Sequence, residues 1–175
     1  MSQIGLIRYG VVPEVARCEL RDDATLQRGE QLVAETHRGP MLATLLEVIR
    51  PSSEPGASPP SAGFQMLRVA TPDDQRQHAQ LRDRCSETCD AWDARIQQWQ
   101  LDLQLLDCEY TLDGEKLILY VLNERGPECT RLAIQAAAAG FGLIEVQPVD
   151  AAGIVSQPLM DSGGGCGTGG CGCSH

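Results

Sequence analysis

The sequence predicts an α+β protein: a small N-terminal antiparallel β unit, a βαββαβ domain over residues 64–149, and a flexible Gly/Cys-rich C-terminal tail. Three observations predict it. Apolar runs interrupted at Gly10, Gly29 and Gly39 mark short strands within residues 1–50. Apolar residues recur at steps of three and four from Leu81 to Trp99. Between these regions, residues 51–63 are crowded with Pro, Ser and Gly and have nothing apolar to bury, which marks a linker.

In the first unit the expected segments are 4–9, 11–20, 31–36 and 41–49, a meander of strands or an incomplete barrel. After the linker, residues 64–70 read as a strand. Thr71-Pro72-Asp73-Asp74 is a helix start: a hydroxyl that can cap, a proline suited to the first turn, and two carboxylates at the positive end of the helix dipole. The stripe of Leu81, Cys85, Cys89, Trp92, Ile96 and Trp99 then gives one long helix with a single apolar face. Residues 101–112 and 116–122 are β-rich and joined by Asp113-Gly114-Glu115, a hairpin link. The alternation changes phase at Leu105-Leu106, the signature of a bulge. Gly126-Pro127 opens a second helix that stops at Gly140, and residues 142–148 supply a last strand. That order is the ferredoxin-like one, with two helices on one face of a four-stranded antiparallel sheet.

Composition narrows the function. The chain has 24 Asp and Glu against 14 Lys and Arg, a net charge of -10, and Lys116 is its single lysine. Direct nucleic-acid binding needs a clustered cationic surface, and this inventory argues against it. No run of about 20 apolar residues is present and the N-terminus lacks a basic-then-apolar layout, so the expectation is a cytoplasmic protein that does not cross a membrane. In that compartment the eight cysteines call for a role other than a disulfide framework.

The tail is the one segment that reads as chemistry. Cys166, Cys171, Cys173 and His175 lie among glycines that let the backbone fold thiolates around one ion, and zinc or an iron–sulfur cluster accepts such a set. The spacing Cys-x4-Cys-x-Cys-x-His matches no established finger or ferredoxin pattern, and a Gly/Cys tail without an ordered ion is the competing reading. Cys85 and Cys89, one turn apart, could pair on a metal, but their place in the apolar stripe favours packing. Cys18, Cys108 and Cys129 stand apart in sequence, and Cys129 falls in the first turn of a helix, where a thiol pKa can drop. His37 and His78 accompany no G-x-S-x-G elbow, and no phosphate-binding glycine loop is present, so no catalytic residues are expected. An RNA-recognition sheet would stack bases on several aromatics of its central strands. Residues 116–122 offer only Tyr120, and packing is the expected role of both Tyr120 and Tyr110.

The residues also carry a family likeness. Phe64-Gln-Met-Leu-Arg-Val-Ala-Thr-Pro-Asp-Asp74 and Leu105-Leu-Asp-Cys-Glu-Tyr-Thr-Leu-Asp-Gly-Glu-Lys-Leu-Ile-Leu-Tyr120 resemble the strand-and-cap and the hairpin of the polymerase-suppressor (PSP) C-terminal domain family, with its bacterial RicT-like (YaaT-like) members. Leu26-Gln-Arg-Gly-Glu-Gln-Leu-Val-Ala-Glu-Thr-His-Arg-Gly39 is similar to that family's N-terminal strand pair. The resemblance implies a non-catalytic adaptor or regulatory subunit with protein partners in a hetero-complex, a link to RNA processing, and an iron–sulfur cluster shared among subunits. Gly142 stands where the family usually has Arg, and residues 163–175 replace its Cys-Gly and Cys-Cys tail.

Overall fold

The computed structural model describes residues 3–22, 25–49, 62–122 and 126–155. Four of the expected strands form in the N-terminal unit: β1 (Gln3–Tyr9), β2 (Glu14–Leu20), β3 (Gln31–Thr36) and β4 (Gly39–Ile49). β1 pairs antiparallel with both β2 and β4, and β3 pairs antiparallel with β4. Alone, these strands would leave β2 and β3 as open edges, and unpaired backbone groups there are a liability. β5 (Phe64–Val69) satisfies both. It runs antiparallel to β3, from Leu32↔Val69 to Glu35↔Gln65, and parallel to β2 at Cys18↔Phe64. The result is a closed barrel in the order β1-β2-β5-β3-β4, filled by Ile7, Leu20, Leu32, Met41, Leu45 and Met66.

This corrects the ferredoxin-like expectation, and with it the incomplete barrel. The order of elements is β-α-β-β-α-β, but the first strand belongs to the barrel. The second sheet is β6 (Gln104–Tyr110), β7 (Lys116–Leu122), β8 (Leu143–Asp150) and the short β9 (Gly153–Ile154), in that order. β8 lies parallel to β7, from Lys116↔Leu143 to Leu122↔Val149, and so takes the place beside β7 that β5 would have occupied. The physical reason is legible in β7 itself. Lys116-Leu-Ile-Leu-Tyr-Val-Leu122 is apolar at nearly every position and buried from Leu117 to Val121, as a central strand covered on both faces requires.

The two faces of this sheet do different work. Leu117, Leu119 and Val121 point with Cys108 toward the helices α1 (Pro72–Gln98) and α2 (Pro127–Ala138), and pack on Cys85, Trp92, Ile96, Leu132 and Ala136. Ile118 and Tyr120 point the other way, with Val149, onto Val11, Val12 and Ile154. The expected bulge is present between Leu105 and Asp107. α1 begins with the expected Thr71 cap as a full capping box: Thr71 accepts from the Asp74 amide, and the Asp74 carboxylate accepts from the Thr71 amide. No helix among the described residues is long and apolar enough to cross a membrane.

Candidate functional site

Where the barrel meets the second sheet, a charge is buried. Arg38, on the turn between β3 and β4, is 1% exposed. That turn is tightened by Thr36, whose Oγ1 donates to the Gly39 carbonyl at 2.9 Å and accepts from the Arg38 amide at 3.1 Å. The guanidinium lies 2.6 Å from Glu14 Oε1 of β2. It reaches Glu145 at 3.4 Å and Gln147 at 3.4 Å on β8, and donates to Tyr120 Oη at 3.3 Å on β7. Burial alone would lower the Arg38 pKa, but Tyr120, Glu14 and Glu145 raise it, so the group stays charged. Tyr120 in turn donates to Glu109 Oε2 at 2.9 Å, which also accepts from the Val11 amide at 3.0 Å. Burial, then Glu109, pushes the Tyr120 phenol well above its ordinary value. Beside this network a cavity of about 180 Å³ is lined by Tyr9, His78, Arg82 and Glu109.

Three thiols converge between α1 and β6. Cys85 and Cys89 present from α1, one turn apart, and Cys108 faces them from β6. Cys108 Sγ donates to the Cys85 carbonyl at 3.4 Å, and its side chain is within hydrogen-bond reach of both helical thiols. Asp107 Oδ1 accepts from the Cys108 amide at 2.7 Å and from Cys89 Sγ at 3.9 Å, and pairs with Arg82 at 3.5 Å. The hydrogen bond from Cys108 holds the Cys85 thiol below its ordinary pKa, while the same contact and burial drive Cys108 far up. Among the described residues, no group of three His, Cys, Asp or Glu side chains is placed to hold a metal ion.

A third feature lies at the far end of α1. The chain has only two Trp and two Phe, yet both tryptophans and Phe141 meet here: Trp92–Phe141 centroids are 5.0 Å apart, and Trp92–Trp99 6.2 Å. The Arg95 guanidinium sits 4.4 Å over the Phe141 ring. Trp92 is buried, Trp99 half-buried, and Phe141 and the nearby Leu143 exposed.

The other sequence-derived residues fall as follows. Cys166, Cys171, Cys173 and His175 lie outside the described residues. Cys18 packs in the barrel core, and burial pushes its thiol up to about 11. Cys129 is buried in the first turn of α2. His37 is exposed and stacks on Phe64, whereas His78 lines the cavity. Tyr110 packs against the helix-side core, with the Arg84 guanidinium 5.0 Å over its ring. Tyr120 is fully buried, and the sheet face that would stack bases is covered by Val11, Val12 and Arg38. Sequence reasoning missed Arg38 and Glu109. Glu109 had one signal, a carboxylate inside the β-rich run Leu105-Leu-Asp-Cys-Glu-Tyr110, and Arg38, in a turn, had none. Cys108 stands apart in sequence because its partners are on another element, α1.

Nothing among curated proteins or solved structures matches the chain. One family model does match: residues 64–126, from β5 through α1 and the β6–β7 hairpin to the Gly126 cap of α2, are similar to the PSP1 C-terminal conserved region.

Proposed function

We propose that the protein is a non-catalytic adaptor or regulatory subunit acting by protein–protein contact within a cytoplasmic hetero-complex, like RicT-like members of the PSP family, with any part in RNA processing exerted through its partner. The observation that carries this reading is the aromatic cluster at the end of α1. Trp, Phe and Arg are the residue types that concentrate at binding hot spots, and a half-exposed Trp99 beside exposed Phe141 and Leu143 leaves apolar area open to a partner. The buried base, Trp92, holds the exposed rings in place without further ordering cost on binding.

The test is quantitative co-purification of the intact protein from its native cell, against Trp99→Ala, Phe141→Ala and, as a control, the remote exposed substitution Val15→Ala. A partner that stays with the wild type and the control and leaves the two aromatic variants supports the reading. A protein that runs as a steady monomer with nothing associated, or a partner indifferent to both substitutions, overturns it.

A second reading rests on the tail sequence. Three thiolates and an imidazole within residues 166–175 suit zinc or an iron–sulfur cluster, and would make the folded part a carrier for a metal centre. Anaerobic purification with elemental analysis and a visible spectrum tests it. A colourless, metal-free protein unchanged by removal of the tail would end it.

A further inference from the structure

We propose that Cys89 and Cys108 are a modification site: a dithiol that a hydroperoxide converts into a disulfide joining α1 to β6. The geometry starts from the helix. Side chains of a helix lean toward its N-terminus, so Cys89 overlies the carbonyl of Cys85, one turn earlier. Cys108 Sγ is 3.4 Å from that same carbonyl oxygen and within hydrogen-bond reach of the Cys89 thiol. Asp107 fixes the pair from the other side, since one oxygen takes both the Cys108 amide and the Cys89 thiol. Of the three thiols, Cys85 and Cys108 are sealed, at 2% and 0% exposure, and Cys89 alone reaches solvent. An oxidant therefore enters at Cys89, and Cys108 is the thiol waiting behind it.

The chemistry balances with one co-reactant. Cys89 sulfur attacks the O–O bond of a hydroperoxide ROOH, giving a sulfenic acid at Cys89 and the alcohol ROH. Cys108 sulfur then displaces the hydroxyl of that sulfenic acid. The S–S bond forms and one water leaves with the Cys108 proton. Two thiols have lost two electrons and the peroxide bond has gained them. A metal ion is the other use to which clustered thiols are put, but the ligand atoms here do not surround one point.

Tryptic cleavage makes the test direct, because Cys85 and Cys89 share the peptide 85–95 while Cys108 lies in 96–116. The full-length reduced protein is treated with hydrogen peroxide, its free thiols are alkylated, and the digest is read by mass spectrometry. The expected product is the 85–95/96–116 pair, two hydrogens lighter than the sum of its peptides and split by dithiothreitol. It persists in Cys85→Ser and is lost in Cys89→Ser. Failure of the wild type to cross-link under conditions that oxidise its other thiols overturns the proposal, as does a cross-link that survives Cys89→Ser. If a variant fails to fold, fragmentation of the wild-type pair decides: the alkyl group found on Cys85 assigns the bridge to Cys89, and the alkyl group found on Cys89 overturns the proposal.

Discussion

Arg38 Nη1 donates to Tyr120 Oη at 3.3 Å, so a turn of the barrel is bonded to the central strand of the second sheet. The rest of the guanidinium is spent on Glu14, Glu145 and Gln147. Removing one member of a buried ion pair strands the other, at about 3–5 kcal/mol. Arg38→Met is expected to lower the unfolding free energy by about that amount in urea titration. Arg38→Lys should recover only part of it, because an ammonium cannot reproduce the planar fork. Tyr120→Phe, which costs Glu109 one donor, should be milder, at about 1–3 kcal/mol.

Asp74 gives the fold an acid-sensitive joint. The Arg68 guanidinium, opposed by partial burial and aided by the Thr71 amide and hydroxyl, holds its carboxyl below the usual Asp range. A carboxyl depressed in the folded state contributes stability that is present above its unfolded pKa of about 4 and is lost as pH falls through the folded value. Asp74→Asn should therefore be less stable than wild type at neutral pH and show a flatter loss from about pH 4 downward. Denaturation midpoints across that range would check both. Arg68 is half exposed, so salt should shrink the difference.

The register of β5 can be tested with neighbouring residues. Met66 is 5% exposed inside the barrel and Leu67 is 40% exposed outside it. Met66→Ala is expected to cost about 2–5 kcal/mol and Leu67→Ala about 0.5 kcal/mol or less. Equal losses would mean that the strand does not close the barrel in this register.

Gly142 adopts φ +69°, a backbone that side-chain-bearing residues enter at about 1–2 kcal/mol. Gly142→Ala should cost about 1 kcal/mol with no new clash, since nothing lies near the position of the added carbon. The neighbouring Phe141 ring shares the aromatic cluster with Trp92, so tryptophan fluorescence should shift as well.

Local patterns were readable: the Thr71 cap, the helix stripe, the hairpin at Gly114 and the bulge after Leu105 all follow from spacing and residue type. Partnership was not. Phe64–Val69 reads as a strand wherever it lies, and whether it completes the barrel or the second sheet depends on which sheet has open edges. The continuous apolar run of β7 was the available clue that a parallel neighbour, β8, would flank it. Charge burial is harder still. Arg38 on its own is an ordinary turn residue, and only β2, β7 and β8 together make it a hub. The thiols show the same limit, because Cys85 and Cys89 carry a visible period and Cys108 does not.

Barrel closure by β5 also sets a schedule. During synthesis β1 to β4 emerge first, and the outer edges of β2 and β3 have no partner until residue 69 has been made. For that interval the nascent chain exposes two pairing edges, and the segment 50–63 determines how long it lasts. Lengthening that segment should slow maturation and raise losses to aggregation far more than it changes the finished protein's stability, because closing a longer loop costs only about 0.6 kcal/mol per doubling.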